Sequence, residues 1–110
     1  MACFIYMTAS SKTEALTIGR TLVSEHLAAC VNVLDGMTSV YWWNGQLEQA
    51  DEAVLVAKTA DDLVDRLVER VKSLHSYECP CVVSWPIEKG NDAYLKWIAE
   101  TCEQPIGNSE

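Results

Sequence analysis

The stretch "HSYECPC", His75 to Cys81, places an imidazole, a phenol, a carboxylate and two thiols within seven residues. Three chemistries fit it: a soft-metal site, a regulatory thiol pair, or the opening of a buried strand that uses small side chains. If the segment is extended, Cys79 and Cys81 point to one face, about 6.5–7 Å apart along the strand. That is the upper limit for a direct disulfide, so an intrastrand bridge is strained. Two thiolates can instead reach one soft ion, since Zn–S bonds are about 2.3 Å and copper(I) also favours sulfur. Free cysteine is equally among the most buried residue types. The expectation is a structural junction, with Pro80 fixing the entry into a strand and Cys79 and Cys81 packing or lining a cleft.

Other residues carry weaker signals. Lys58 is the first cation after a long gap: there is no Lys or Arg between Thr21 and Ala57, but Glu25, Asp35, Glu48, Asp51 and Glu52 fall there. A lysine at a strand end is ordinary as a snorkelling side chain, and it can equally hold a small anion. His75 closes a helical pattern, where an imidazole suits the negative end of the dipole. His26 has the same ordinary explanation. Trp42 and Trp43 are consecutive, so on a strand they face opposite sides. One of them can be core, and the other must meet solvent, a partner or a ligand.

The elements that position these residues follow from periodicity. "CFIYMT" (3–8) is a short β-rich run and reads as a buried strand. Ser10 or Ser11 can cap a helix over Thr13 to Leu27, with Glu14 three residues after Ser11 as in a capping box. "ACVNVL" and "TSVYWW" are β-rich runs separated by Asp35-Gly36, a turn or bulge signal. Asn44-Gly45 is a hairpin turn signal, so residues 29–59 make a long hairpin returning through "EAVLVAKT". "ADDLVDRLVERVKSLH" is an amphipathic helix with Asp61 or Asp62 as its cap. "CVVSWPIE" is the next strand and "NDAYLKWIAETC" a last helix.

The order predicts an α+β fold: a ferredoxin-like βαββαβ sandwich with a long β-hairpin and an additional C-terminal helix. Two right-handed crossovers put both helices on one face of an antiparallel sheet, leaving the other face to the third helix or a neighbouring subunit. One domain over residues 1–102 is expected, with residues 103–110 as a loose tail. At 110 residues the chain can bury one modest core, and 49% hydrophobic residues exclude a disordered protein. No apolar run approaches the roughly 20 residues needed to span a bilayer. The first residues, "MACFIYMTAS", do not read as a signal peptide. The five cysteines are therefore read as thiols of a cytoplasmic, reducing compartment. A formal net charge of -8 makes nucleic acid a poor partner.

"LAACVN" (27–32), "SVYWWNG" (39–45), "KT" (58–59), "HSYECP" (75–80) and "DAYLKWI" (92–98) together resemble the CutA family of divalent-cation tolerance proteins. The resemblance covers Ile5 to about Ile98. It implies a ferredoxin-like homotrimer built by hairpin strands pairing between subunits; Trp42 and Trp43 are expected at an interface because a strand with aromatic residues on both faces is costly to expose. It also implies a link to copper and other divalent cations, and a likeness in fold and assembly to PII-type signalling proteins. No cofactor is obligatory, and no reaction is implied. Met7 stands where some bacterial members carry a cysteine assigned to copper, and His75 aligns with the histidine of that assignment, whereas Leu74 replaces a second histidine. Any metal site would thus draw on His75, Met7, Cys79 and Cys81, with copper as the candidate ion. Lys58, Tyr41, Tyr77 and Glu78 lie at motif positions and could line a cleft between subunits for a small anion or metabolite.

The leading expectation is a non-enzymatic trimer for metal tolerance or response. Its competitor is a PII-like small-molecule sensor with incidental metal binding. An enzyme using Lys58 and His75 as acid–base groups ranks last, because no nucleophile–base–orienter pattern is legible.

Overall fold

A computed structural model of the protein describes residues 1–103. The expected loose tail lies, apart from Glu103, outside the described residues. The elements are β1 (Ala2–Ala9), α1 (Lys12–Ser24), β2 (Cys30–Trp43), β3 (Gln46–Ala60), a 3-10 turn (Asp61–Leu63), α2 (Val64–Leu74), β4 (Val82–Pro86) and α3 (Asp92–Cys102). The sheet order is β2-β3-β1-β4, and every neighbouring pair is antiparallel. This is the ferredoxin-like βαββαβ arrangement, with α3 added.

Strand alternation divides the residues between two layers. On β1, Cys3, Ile5, Met7 and Ala9 are buried, and on β3 Ala53, Leu55, Ala57 and Thr59 are. Ala15, Ile18 and Leu22 of α1 and Leu67 and Val71 of α2 cover that face. Burying side chains of this size stabilises by about 1.5–3 kcal/mol each, which fixes the register, since a one-residue slip would expose the whole set. Gly19 permits the close approach of α1: a Cβ there would lie 2.9 Å from Val31 Cγ2 and 3.2 Å from Leu55 Cδ1.

The opposite face is open. Cys30, Lys58, Phe4 and Trp85 form one row across all four strands, and Asn32, Val56, Tyr6 and Val83 form the next. The Phe4 and Trp85 rings stack at 4.8 Å. Leu34, Val83 and Trp85 remain exposed. As expected, α3 covers part of this face: Ile98 is fully buried, and Tyr94 Oη lies 3.3 Å from Cys30 Sγ.

The hairpin agrees with its signals. Asn44 (φ 51°) and Gly45 (φ 76°) both take the left-handed conformation that a two-residue hairpin turn requires. Asp35-Gly36 does not separate two strands. It is a bulge within β2, between Leu34 and Met37, with Gly36 at φ 81°.

Two details differ from the expectations, and one was not foreseen. The first helix ends at Ser24, not Leu27, because His26 turns left-handed (φ 58°) and the Leu27 and Ala28 N–H groups both return to Leu22 O. His26 Nδ1 then donates to Thr101 O at 3.2 Å, tying that turn to α3. Asp61 and Asp62 do not cap α2; they sit in the 3-10 turn, which has no side-chain cap. Arg70 turns from the end of α2 to Glu25, making a bidentate pair at 3.0 and 2.8 Å that joins the helices.

Gly19→Ala tests the close packing of α1. The helix-propensity gain of about 1 kcal/mol is set against an overpacking cost of about 1–3 kcal/mol, because the stiff Val31 side chain cannot rotate away freely. A net loss of about 1 kcal/mol is expected in urea unfolding. A gain in stability would show that α1 can lift off the sheet without cost.

Candidate functional site

The chemistry-bearing residues gather where β1 ends, α1 begins and the chain leaves α2. Ser11 caps α1, its Oγ accepting from Glu14 N at 3.1 Å. Glu14 reaches back one residue further than a capping box requires. Its Oε1 accepts from Ser10 N (2.9 Å) and Ser10 Oγ (2.8 Å). Its Oε2 accepts from Ser76 N at 2.7 Å, so the carboxylate joins the start of α1 to the segment after α2. Burial opposes ionisation of Glu14, but the hydrogen bonds from Ser10 and Ser76 outweigh it and hold the carboxyl down at about 2.

His75 is the C-cap residue of α2, and its N–H bonds Val71 O at 2.9 Å. Its side chain is 1% exposed. Nε2 donates to Thr8 O at 2.8 Å, because a carbonyl can only accept. Nδ1 accepts from Tyr77 N at 3.0 Å. Both nitrogens are thereby engaged, and the neutral tautomer is set by its two partners. Glu14 Oε2 lies a further 3.7 Å from Nδ1.

Tyr77 stacks on His75, with centroids 4.7 Å apart, and donates its hydroxyl to Glu52 Oε2 at 2.7 Å. Glu52 is buried. Burial first, then the Glu52 hydrogen bond and charge, push the Tyr77 phenol well above its ordinary range, so it stays a donor.

The loop continues outward from this anchor. The ladder to β1 begins at the Val82–Met7 pair, so Cys79, Pro80 and Cys81 all precede β4. Both cysteines are exposed and free. The expected buried strand opening is therefore corrected: the strand starts one residue after Cys81, and neither cysteine is packed away. Partial burial of the Cys81 sulfur and the nearby Glu52 charge raise its thiol above the ordinary value. Glu78 is exposed. Met7 is 1% exposed and belongs to the helix-covered core. Among the described residues, no group of three or more His, Cys, Asp and Glu side chains is placed to hold a metal ion. The donor set thus fits a metal only in part. His75 has no free lone pair and Met7 lies in the core, while Cys79 and Cys81 are accessible.

The remaining candidates lie elsewhere. Lys58 donates to Asn32 Oδ1 at 2.7 Å on the open face. It is six residues from Glu52 along β3, roughly 20 Å. One chain therefore does not bring Lys58 and Tyr77 into one cleft. Tyr41 is on the outer hairpin, opposite Glu48. Trp42 is 73% and Trp43 47% exposed, so neither is core: the hairpin extends beyond the helices that would have covered one of them. Glu14, Ser10 and Glu52 were not picked out from the sequence as site residues. The capping-box spacing pointed at Glu14 but only as a helix start, and nothing local marked Glu52 as the partner of Tyr77.

Comparison with known proteins gives this architecture its relatives. The family model of the CutA1 divalent ion tolerance protein matches residues 3–101. The chain belongs to the CutA1 family. Against the divalent-cation tolerance protein CutA of Thermus thermophilus the identity is 44% over 96 residues, covering 87% of this chain and 93% of that one. A CutA homolog from Xenopus laevis is 47% identical over 95 residues, and chloroplastic CutA 1 from Oryza sativa 39% over 100. These matches take in 86% and 91% of this chain, which spans only 63% and 56% of those two relatives. The solved Thermus thermophilus structure superposes with a TM-score of 0.89 at 42% identity, covering 92% of this chain and 98% of that one. The structure of periplasmic CutA from Archaeoglobus fulgidus gives 0.90 at 42% identity, covering 94% and 100%.

The Glu14 tie carries a pH signature. Its folded pKa is depressed, so its contribution is present above the unfolded value of about 4.3 and is lost as pH falls through about 2. Glu14→Gln should destabilise by on the order of 2 kcal/mol at pH 7. In urea unfolding, the gap between wild type and Glu14→Gln should narrow between about pH 4.5 and pH 2. A gap unchanged by acid would show that the carboxylate charge does not stabilise this junction.

Proposed function

We propose that this chain is one subunit of a homotrimer that serves divalent-cation tolerance by binding rather than by catalysis. The carrying observation is the unpartnered surface: Leu34, Val83 and Trp85 on the open sheet face and Val40, Trp42, Trp43 and Leu47 on the hairpin are all exposed. Apolar area of this kind marks an interface, and the free edges of β2 and β4 favour pairing with another chain. Family membership supports the cation role, since the Thermus thermophilus and Archaeoglobus fulgidus relatives are named for divalent-cation tolerance. The polar groups of the junction support a scaffold rather than an acid–base centre, because Glu14, His75, Tyr77 and Glu52 are all committed to one another or to backbone. Free thiols at all five cysteines suit a reducing compartment such as the cytoplasm. Among the described residues, no helix is long and apolar enough to cross a membrane.

Lys58 favours a second reading, a PII-like sensor of a small anion. It is a part-exposed cation beside Asn32, in the same row as Cys30, Phe4 and Trp85. A cleft closed by a second subunit would bring Tyr41, Tyr77 and Glu78 into such a site.

Multi-angle light scattering should give three chain masses at micromolar concentration; a stable folded monomer would overturn the assembly. Lys58→Ala should leave the trimer intact and abolish any thermal stabilisation by small anionic metabolites. If Lys58→Ala instead prevents assembly, the lysine serves the interface and the sensor reading fails.

A further inference from the structure

We propose that the open sheet face carries a binding site for a small aromatic monocarboxylate, its carboxylate held by Lys58 and Asn32 and its ring laid over the Phe4–Trp85 pair. The proposal rests on the anion-sensor reading of Lys58 and deepens it by naming the ligand class.

The first argument is charge. The chain holds 16 acidic and 8 basic residues. Yet the row from Cys30 to Trp85 and the row from Asn32 to Val83 contain no Asp or Glu, and nor does the next, from Leu34 to Thr8. Lys58 is the one charged residue in these rows. The acids of α3 beside them, Asp92 and Glu100, are exposed. Among the described residues Arg70, Lys72 and Lys96 each meet a carboxylate, whereas Lys58 meets the neutral Asn32 amide. Lys58 is also half-buried. A cation among apolar side chains is unfavourable to desolvate without a counter-charge, and any cover laid over this face adds to the penalty. An anion brought from outside relieves it.

The second argument is donors. Lys58 Nζ donates to Asn32 Oδ1 at 2.7 Å. Two ammonium hydrogens and the Asn32 Nδ2 hydrogens remain for another acceptor. The contact between the two side chains holds these donors side by side. One carboxylate can therefore offer an oxygen to each, with the Lys58 bond charge-assisted.

The third argument is the body of the ligand. On the Cys30 side α3 closes the row, where Tyr94 Oη lies 3.3 Å from Cys30 Sγ. On the other side Phe4 is the cross-strand partner of Lys58, and its ring centroid lies 4.8 Å from that of Trp85. Trp85 is 48% exposed. A ligand anchored on Lys58 thus extends over two aromatic rings, a surface that favours a flat ring of its own. Charge count then restricts the head group. One cation balances a monoanion. A phosphate ester brings about 1.5–2 negative charges at neutral pH, and a nucleotide brings more. Both are repelled by a chain of net charge -8.

The test is isothermal titration calorimetry of the full chain at neutral pH with naphthoate, acetate, naphthol and inorganic phosphate. Naphthoate should bind, and each of the others should bind at least about tenfold more weakly. Acetate lacks the ring, naphthol lacks the charge, and phosphate lacks the ring and carries excess charge. That comparison needs no variant. Lys58→Gln should weaken naphthoate binding by about tenfold or more and Trp85→Leu by about threefold or more, while Lys72→Gln stays within about twofold of wild type. Phosphate binding more tightly than naphthoate would overturn the ligand class and leave the sensor reading standing. Binding of none of the probes would overturn both. Equal affinity for naphthoate and naphthol, or equal naphthoate affinity in wild type and Lys58→Gln, would remove Lys58 from the site and sink the proposal. Light scattering on the same samples reports assembly separately. If Lys58→Gln releases monomers, the counter-charge is a carboxylate of a neighbouring chain and the proposal fails.

Discussion

Both oxygens of the Glu14 carboxylate are bound by donors from segments far apart in the chain, Ser10 before α1 and Ser76 after α2. Around that tie the junction becomes rigid. His75 is pinned to Thr8 of the central strand, Tyr77 is pinned to His75 and Glu52, and the chain then leaves for β4 in a defined direction. A half-buried charge is tolerable only when its hydrogen bonds are made, and here donors from two segments supply them. The same bonds explain why His75 acts as a structural hub and not as a free base.

A second constraint acts on the sheet. Two helices cover one face, and α3 covers only one end of the other. The rest combines exposed apolar residues with the Phe4–Trp85 stack and Lys58. A monomer would leave that surface and two strand edges in water, which natural sheets avoid by pairing or covering. The protruding hairpin has the same character, with both tryptophans exposed at its tip. The exposed surface is what supports the proposed reading of a subunit completed by its neighbours.

The metal question turns on which donors are free. The family pattern drew attention to His75 and Met7, but in the folded chain one is doubly hydrogen-bonded and the other is core. The two exposed thiols of the Cys79-Pro80-Cys81 segment are the accessible soft donors.

Local rules alone determined much of this protein. A run of β-forming residues marked β1, the Asn44-Gly45 pair marked the hairpin turn, and a capping box and an apolar stripe marked α1 and α2; each depends on backbone geometry within a few residues. Element order then limited the topology to the ferredoxin-like arrangement. The contents of the junction were not legible in that way. That Glu14 would reach Ser76, that Tyr77 would find Glu52, and that His75 would face Thr8 O depended on chain segments 25 to 67 residues apart meeting in space. The exposure of Trp42, Trp43, Cys79 and Cys81 was likewise decided by the tertiary structure. Composition says that such side chains prefer burial, but only the placement of the helices determines how much of the sheet, its hairpin and its loops they can cover.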